Sequence, residues 1–143
     1  MIRTAQYTGG EYQLSQAYPG DAGFDLAYCG DAELVIPPFS MAKIPTGVCV
    51  AMPEGMYAII TGRSSTFAKR NLITPVSVID SGFRGELFAI VWNFGDQQQV
   101  IQPDERVIQL LPMNNIATMV RWERVHSLSA SVRAEHGFGS SGR

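Results

Sequence analysis

Short apolar runs recur along the chain, several of them rich in β-branched and aromatic residues, with clusters of Gly, Pro, Asp and Ser between them. Such runs suit the pleated surface of a sheet, and the clusters suit turns. The pattern therefore predicts an all-β domain. The predicted strands are 34–36, 41–52, 56–61, 72–79, 86–94, 100–101, 107–112 and 117–125.

Two segments depart from this strand pattern. Over 64–71, the run TFAKR follows Ser64 and Ser65, and either serine is placed to cap a helix of about two turns. After His126 the chain is poor in aliphatic residues and rich in Ser, Gly and Ala, so it cannot build a core. We therefore expect a β-domain over 1–126 and a flexible arm over 127–143, with an ordinary frayed terminus as the alternative.

Composition narrows the function classes. With 143 residues, 45% of them hydrophobic and 17% charged, the chain is expected to fold as one domain. The net charge of −2 argues against a nucleic-acid partner. Neither a signal peptide nor an apolar run of the ~20 residues that span a bilayer is present, so we expect no membrane contact and a cytoplasmic protein. Cys29 and Cys49 are interpreted as packing residues.

Three segments combine small residues with ionisable or hydroxyl side chains, as phosphate-binding loops do: AGFDLAY from Ala22, GRSST from Gly62 and GFGSSGR from Gly137. Glycine-rich turns of a β-protein are the alternative for each one. In VIDSGFRGE, Asp80 ends an apolar run, where its carboxylate is placed to activate water or to cap an Asx-turn. In PDERVIQLL, the Gln109 amide either donates to a phosphate or faces solvent.

Taken in this order, the five segments resemble the five motifs of the trimeric dUTP pyrophosphatase (dUTPase) family, from 21 to 142. The resemblance implies a jelly-roll-like subunit with one short helix. It also implies a homotrimer whose active sites form between subunits and are closed by the C-terminal arm. The implied reaction is Mg²⁺-dependent hydrolysis of dUTP to dUMP and pyrophosphate, by water attack on the α-phosphorus. That reaction keeps uracil out of DNA and supplies dUMP for thymidylate synthesis.

The resemblance also implies roles for the third segment. Asp80 would activate the water and hold the deoxyribose 3′-hydroxyl, and Phe83 stands where the family usually has a tyrosine against the sugar. A β-hairpin over about 74–78, including Thr74, Ser77 and Val78, would read the uracil edge through backbone groups. A glycine commonly stands at the position of Ser77, so the exact turn there is a point of departure from the family.

The phosphate chain is expected to bind Arg63, Ser64, Ser65 and Gln109, with Asp25 helping to hold Mg²⁺ through water. The arm residues implied in substrate binding are Arg133, Phe138, Gly139, Ser140 and Ser141, with Phe138 stacking over the uracil. Two glycines usual in the arm are replaced here, by Ala134 and His136.

The fourth segment carries two further expectations. Glu105 and Arg106 are interpreted as members of a structural ion-pair network. Asp104 replaces the usual glycine before Glu105, and we expect this replacement to matter little.

Two alternatives remain at this point. A dCTP deaminase has the same subunit fold, but its chemistry needs a glutamate where this chain has Ile90 and an arginine where it has Ala68. A non-catalytic nucleotide-sensing regulator is the other alternative. It has no physical need for the charged residues that the chain retains in its motifs, which are Asp25, Arg63, Asp80 and Arg133.

Overall fold

The computed structural model describes residues 2–9 and 14–131. Within these ranges the chain forms ten strands, one α-helix and a single 3₁₀ turn at Ala117–Met119. The strands are β1 (Gln6–Thr8), β2 (Phe24–Ala27), β3 (Leu34–Ile36), β4 (Met41–Ala51), β5 (Met56–Gly62), β6 (Leu72–Ile73), β7 (Ser77–Ile79), β8 (Glu86–Asn93), β9 (Gln99–Ile101) and β10 (Arg106–Asn114). The α-helix, α1, spans Ser64–Arg70 and directly follows β5.

Two four-stranded antiparallel sheets carry the fold, with strand orders β1-β4-β8-β6 and β2-β10-β5-β7. A two-stranded pair, β3-β9, completes the described sheets. Buried side chains from both large sheets, such as Ile44, Val91, Leu26, Ile60 and Ile108, form one hydrophobic core. The all-β fold that the sequence predicts is confirmed.

Strand β8 shows how the sequence pattern produces this layering. Its residues alternate strictly between exposed and buried along the strand, the period of two that a half-buried strand requires. Leu87, Ala89 and Val91 enter the core and are at most 1% exposed. The outward-facing side chains are those of Glu86, Phe88, Ile90 and Trp92. Three of these four are large and apolar, so the outer face of the sheet is unusually hydrophobic.

The predicted strand at 72–79 is wrong, because the chain divides it between two sheets. β6 pairs with β8, whereas β7 pairs with β5. Pro75 lies between them and has no N–H to donate to a sheet ladder. The expected hairpin over 74–78 is also wrong as a pair of strands, since β6 and β7 do not pair with each other.

The predicted strand at 117–125 is wrong as well. The chain forms a 3₁₀ turn at Ala117–Met119, and 120–131 has no regular structure. Met119 and Trp122 are 83% and 91% exposed, so neither apolar side chain packs in the core of this subunit. The boundary at 126 stays a prediction, and residues 132–143 lie outside the described part of the chain.

Strands β1 and β2 are the two that the sequence analysis missed. β1 has only three residues, all exposed, so it carries no alternation of apolar and polar positions. β2 lies inside the segment AGFDLAY, where the glycine and aspartate obscure a strand signal, and only Leu26 is fully buried. Both form because neighbouring strands offer them backbone partners.

The predicted short helix is confirmed, although its expected cap is wrong. α1 begins at Ser64 after Arg63, which is extended and makes no side-chain capping bond. Both serines therefore lie inside the first turn. Within the helix, the buried Thr66 hydroxyl donates to the Val107 carbonyl at 2.6 Å, which ties α1 to β10.

Candidate active site

Three of the motif segments meet in one sheet. Gln109 of β10 lies opposite Asp25 of β2 on one side and Thr61 of β5 on the other. Arg63 and Ser64 directly follow β5. The sheet order therefore brings the first, second and fourth segments to one place, as the resemblance implies.

The Gln109 side chain is fixed between two neighbouring backbones. Its Nε2 donates to the Gly62 carbonyl at 3.1 Å. A Cβ placed on Gly23 would lie 2.6 Å from Gln109 Oε1, so any side chain at position 23 would displace the Gln109 amide from this position. The glycine of AGFDLAY therefore makes room for a polar side chain from the adjacent strand.

Arg63 forms an ion pair with Asp25, with 3.0 Å between Arg63 Nε and Asp25 Oδ1. Arg63 Nη1 also donates to the Arg106 carbonyl at 2.9 Å. The Asp25 side chain is only 9% exposed, and its second oxygen, Oδ2, is buried without a hydrogen-bond partner. Arg106 Nη1 approaches Oδ2 to 3.8 Å, which is within ion-pair range but too far for a hydrogen bond.

An open cavity of about 510 Å³ lies at this junction. Its polar lining offers guanidinium, hydroxyl and amide donors, which are the groups that bind phosphate oxygens. The residues that line it include Asp21, Gly23, Asp25, Arg63, Ser64, Ser65 and Gln109. The predicted residues Asp25, Arg63, Ser64, Ser65 and Gln109 are thus brought together, whereas Asp21 was not predicted.

The side chains at this cavity suit a small hard cation that is bound partly by the protein and partly by the substrate. Among the described residues no group of three or more His, Cys, Asp or Glu side chains could hold a metal alone. The unbonded Asp25 Oδ2 is the one buried carboxylate oxygen of the described chain that lacks a hydrogen bond. Mg²⁺ typically binds through one or two carboxylates, its own waters and substrate phosphates. A single carboxylate at the wall of a phosphate-type cavity matches that pattern.

A second cavity, of about 250 Å³, contains the predicted residues of the third segment. The Asp80 side chain is exposed there, and it has no hydrogen-bond or ion-pair partner among the described residues. The adjacent turn is closed instead by the Phe83 N–H, which donates to the Asp80 backbone carbonyl at 3.0 Å. The Asp80 carboxylate therefore does not cap an Asx-turn. The lining consists of Ser77, Val78, Ile79, Asp80, Phe83, Glu86, Leu87 and Phe88.

Phe83 and Glu86 shape this second cavity. A Cβ on Gly85 would come within 2.7 Å of Phe83 Cζ, so the ring packs directly on the glycine backbone. Glu86 Oε1 accepts the Gly47 N–H at 3.0 Å, which anchors the start of β8 to β4. Glu86 was not predicted as a cavity residue, although its position at the end of VIDSGFRGE was a usable signal.

Thr74 is not among the residues that line either cavity. Its hydroxyl oxygen is buried without a partner, and a Cβ on Gly62 would come within 2.9 Å of it. Close packing against Thr74 therefore explains the glycine of GRSST. The expected role of Thr74 in binding uracil stays a prediction.

The two cavities lie at opposite ends of β5. Ile79 of β7 pairs with Ala58 near the start of β5, and Asp80 follows Ile79 directly. Arg63 follows the last residue of β5. At ~3.3 Å per residue, the backbones of Asp80 and Arg63 are held at least about 15 Å apart.

Other sequence expectations have mixed outcomes. The ion-pair prediction is confirmed for Glu105, which pairs with Arg70, and Arg106 lies beside Asp25. Both cysteines are free and half-buried, and burial, aided by Glu86, raises the pKa of the Cys29 thiol. No helix in the described part of the chain is both long and apolar enough to cross a membrane. The predicted arm residues, Arg133, Phe138, Gly139, Ser140 and Ser141, lie outside the described residues.

The antiparallel fold and the donor-lined cavity define a β-protein built to bind a phosphate-bearing ligand. The dUTPase family model matches residues 13–142, and the chain belongs to the dUTPase family. It is 39% identical over 139 residues to a deoxyuridine 5′-triphosphate nucleotidohydrolase of Tolumonas auensis, covering 94% of this chain and 91% of the relative. It is 38% identical over 138 residues to the protein of the same name from Bordetella pertussis, covering 93% and 90%.

Solved structures show the same fold. A Staphylococcus bacteriophage 80alpha dUTPase variant with bound dUpNHpp superposes with a TM-score of 0.84 at 24% identity, covering 99% of this chain and 100% of the other. A dUTPase variant from phage phi11 has a TM-score of 0.71 at 20% identity, covering 92% and 99%, and is described as coordinating a structural Mg(II) ion. The jelly-roll-like dUTPase fold that the sequence predicts is therefore confirmed.

Proposed function

We propose that this chain hydrolyses dUTP to dUMP and pyrophosphate, with Mg²⁺, by attack of water on the α-phosphorus. Membership of the dUTPase family and the names of the curated relatives support this activity. The cavity geometry supports it independently, because donors for phosphate oxygens and an unpaired carboxylate occur at the motif positions. In a cell this reaction would keep uracil out of DNA and supply dUMP.

The phosphate chain would bind in the cavity at the end of β5. Arg63 supplies a charged fork of donors, Ser64 and Ser65 supply hydroxyl groups, and Gln109 supplies an amide. The Gly62 carbonyl fixes the Gln109 amide by accepting one of its protons, so little rotamer freedom is left to lose on binding. This pre-ordering favours a ligand with several phosphate oxygens.

The nucleoside would occupy the smaller cavity beside Asp80. A carboxylate without a protein partner is free to accept a proton from water and to hold the 3′-hydroxyl. Phe83 would pack its ring face against the deoxyribose, while backbone groups near Ser77 and Val78 would bind the uracil edge. A site that uses buried backbone partners rejects the wrong base strongly, because that base leaves the partners unpaired.

Mg²⁺ would be held near Asp25 Oδ2 through water, together with the substrate phosphates. When bound, it supplies positive charge that stabilises the pyrophosphate leaving group. The nearby protein charges cancel, because Asp21 and Asp25 offset Arg63 and Arg106. A highly anionic triphosphate therefore benefits from an added cation.

The separation of Asp80 from Arg63 is the observation that carries our proposal of shared active sites in a homotrimer. The α-phosphorus that Asp80 would serve is joined to the other phosphorus atoms through single bridging oxygens. The backbones of Asp80 and Arg63 are at least about 15 Å apart at the two ends of β5, and we infer that one such chain does not contact both residues of the same subunit. A complete site therefore takes Asp80 from one subunit and Arg63 from another, and a closed ring of three completes every site.

The outer face of β4 and β8 supports self-association. Met41, Phe88, Ile90 and Trp92 are 72%, 40%, 38% and 45% exposed, and Met41 pairs with Trp92 across the two strands. Lys43 pairs with Ile90 across the two strands and lies over the Phe88 ring at 3.9 Å. Contiguous apolar surface of this kind marks a protein contact. We define these four apolar residues and Lys43 as the β8 face and propose that it packs against other subunits.

The arm would close the site once nucleotide is bound. In this proposal the guanidinium and hydroxyl groups of the arm contact the phosphates, and Phe138 stacks over uracil. Truncation after Val132 is expected to leave a folded oligomer with severely reduced turnover. Full activity without the arm would contradict its role.

A nucleotide assay tests the proposed reaction. The protein is incubated with Mg²⁺ and separately with dUTP, dCTP, dTTP or UTP, and the products are separated by anion exchange while pyrophosphate release is followed. We expect dUMP and pyrophosphate from dUTP alone. Formation of dUTP from dCTP would favour the deaminase, and an absence of any conversion would favour a regulator.

A further inference from the structure

We propose that Asp25 is a positioning residue for Arg63, in addition to any part it has in holding Mg²⁺. Its carboxylate would hold the Arg63 guanidinium at the phosphate cavity and so strengthen binding of a triphosphate even without metal. This inference rests on the proposed function, because it takes the ligand to be a triphosphate chain.

The contacts of Arg63 carry the inference. Its Nε forms an ion pair with Asp25 Oδ1 at 3.0 Å, and its Nη1 donates to the Arg106 carbonyl at 2.9 Å. These two anchors lie on different strands, so the planar guanidinium is fixed in orientation as well as in position. The third nitrogen, Nη2, has no partner among the described residues and lies on a side chain that lines the cavity. Nη2 is therefore left to bind the ligand.

Asp25 is itself held firmly enough to act as an anchor. It lies in β2, where its N–H donates to the Ser15 carbonyl at 2.8 Å and its backbone pairs with Gln109 of β10. Its side chain is 9% exposed, whereas that of Arg63 is 34% exposed. A buried carboxylate thus restrains a partly exposed arginine, whose long side chain would otherwise lose much rotamer freedom on binding.

The two roles of Asp25 use different oxygens. Oδ1 contacts Arg63, while Oδ2 is the buried oxygen without a hydrogen bond. A metal ion is needed only for the role of Oδ2. Binding measured in the absence of divalent cations therefore reports on the role of Oδ1 alone.

Electrostatic repulsion and positioning predict opposite changes in phosphate affinity when the Asp25 carboxylate is removed, which makes the inference testable. Removing a carboxylate beside an anion-binding cavity lowers the repulsion and should strengthen phosphate binding. Removing an anchor that orients an arginine should instead weaken phosphate binding. The sign of the change in affinity therefore decides between the two effects.

The experiment measures binding of dUpNHpp and of inorganic tripolyphosphate in EDTA by isothermal titration calorimetry. It uses the wild type, Asp25→Ala, Arg63→Ala and the double variant. We expect Asp25→Ala to weaken binding of both ligands by about tenfold, as loss of one charged contact that orients a ligand-binding group does. Arg63→Ala should weaken binding at least as much, and the double variant no more than Arg63→Ala alone.

Two controls accompany these variants. Asp21→Asn removes a negative charge from the same cavity but keeps an oxygen that accepts the Tyr18 N–H at 3.0 Å, so binding should stay equal or become slightly tighter. Asp25→Asn keeps an oxygen beside Arg63 Nε, and its loss of affinity should be smaller than that of Asp25→Ala. Thermal unfolding identifies any variant that fails to fold, and the Asn variant then carries the test.

The inference is overturned if Asp25→Ala and Asp25→Asn bind both ligands in EDTA as tightly as the wild type or more tightly. It is equally overturned if the affinity losses of Asp25→Ala and Arg63→Ala add in the double variant. It is also overturned if the wild type hydrolyses dUTP with Mg²⁺ yet binds neither ligand in EDTA, and the proposed function then stands. If the wild type binds tripolyphosphate but hydrolyses no dUTP, the proposed function fails while the variants still decide the role of Asp25.

Discussion

Asp80 and Arg63 belong to neighbouring segments of one sheet, yet they lie at opposite ends of β5. The pairing of β7 with β5 places Asp80 beyond Ala58, at the start of the strand, while Arg63 follows its end. Each subunit thus holds a nucleoside-sized cavity with a free carboxylate and, separately, a phosphate-type cavity. From this separation we expect the proposed chemistry to depend on subunit assembly.

The first prediction concerns Asp80. Asp80→Asn keeps the shape of the side chain but removes its ability to take a proton from water. We expect turnover of dUTP to fall by about 10²–10⁴-fold, as on loss of a general base, with dUpNHpp affinity nearly unchanged. Asp96→Asn, the same change at another exposed aspartate, should leave turnover unaltered. Wild-type turnover in Asp80→Asn would remove Asp80 from this role.

The second prediction concerns the β8 face. Trp92→Glu places a charge within the apolar patch and should convert the assembly to monomers with loss of activity. Val35→Glu is the matched control, because Val35 has the same 45% exposure but lies on β3. Sedimentation equilibrium should give about 47 kDa for the wild type and the control, three times the 15.6 kDa chain. A trimeric Trp92→Glu variant would exclude the β8 face from the interface.

The third prediction concerns a buried amide. Asn93 is fully buried, its Nδ2 approaches the carbonyls of Ile36, Pro37 and Gln97 at 2.8–3.1 Å, and its Oδ1 accepts the Gly95 N–H. Asn93→Asp would direct a carboxylate at these carbonyl oxygens. We expect it to lower the free energy of unfolding by about 3 kcal/mol or more, measured by denaturant titration at fixed protein concentration.

A matched change checks that prediction. Asn115 uses its side-chain oxygen, not its amide nitrogen, to accept the Ala117 N–H at 2.9 Å. Asn115→Asp keeps that acceptor and should change the free energy of unfolding by less than about 0.5 kcal/mol. Equal effects at the two positions would mean that the Asn93 donor bonds contribute little.

The fourth prediction concerns Asp104, where the family usually has glycine. Its φ of +64° lies in the left-handed region, which glycine adopts without strain. Asp104→Gly should raise the free energy of unfolding by about 0.5–1 kcal/mol, whereas Asp104→Ala, which keeps a Cβ, should not. A decrease in stability with glycine would show that the aspartate side chain contributes more than its backbone strain costs.

Most of the fold was predictable because the core strands carry a strong local pattern. The alternation along β8 and the apolar positions of β4, β5 and β10 are set by burial within one chain. The errors occur where a partner outside the local sequence decides the structure. β1 and β2 form on edges that other strands provide. Trp122 is apolar but does not pack in the core of its own subunit.

The site was predictable residue by residue but not in its arrangement. The motifs indicated Asp25, Arg63, Gln109 and Asp80, because their chemistry and order were visible in the sequence. Neither the ion pair between Arg63 and Asp25 nor the distance between Arg63 and Asp80 was visible, since both depend on which strands pair. Strand pairing is a long-range property, and a single sequence without its sheet order does not fix it.

The central claim is that each active site uses Asp80 from one subunit and Arg63 from another, and subunit complementation tests it most directly. Asp80→Asn and Arg63→Ala are each expected to be inactive alone. The two are unfolded, mixed in equal amounts and reassembled, and dUTP turnover is measured after native mass spectrometry confirms mixed trimers. Random assembly of closed rings of three should restore about a quarter of wild-type activity, because each mixed trimer regains one intact site. Mixed trimers without activity would contradict the shared site.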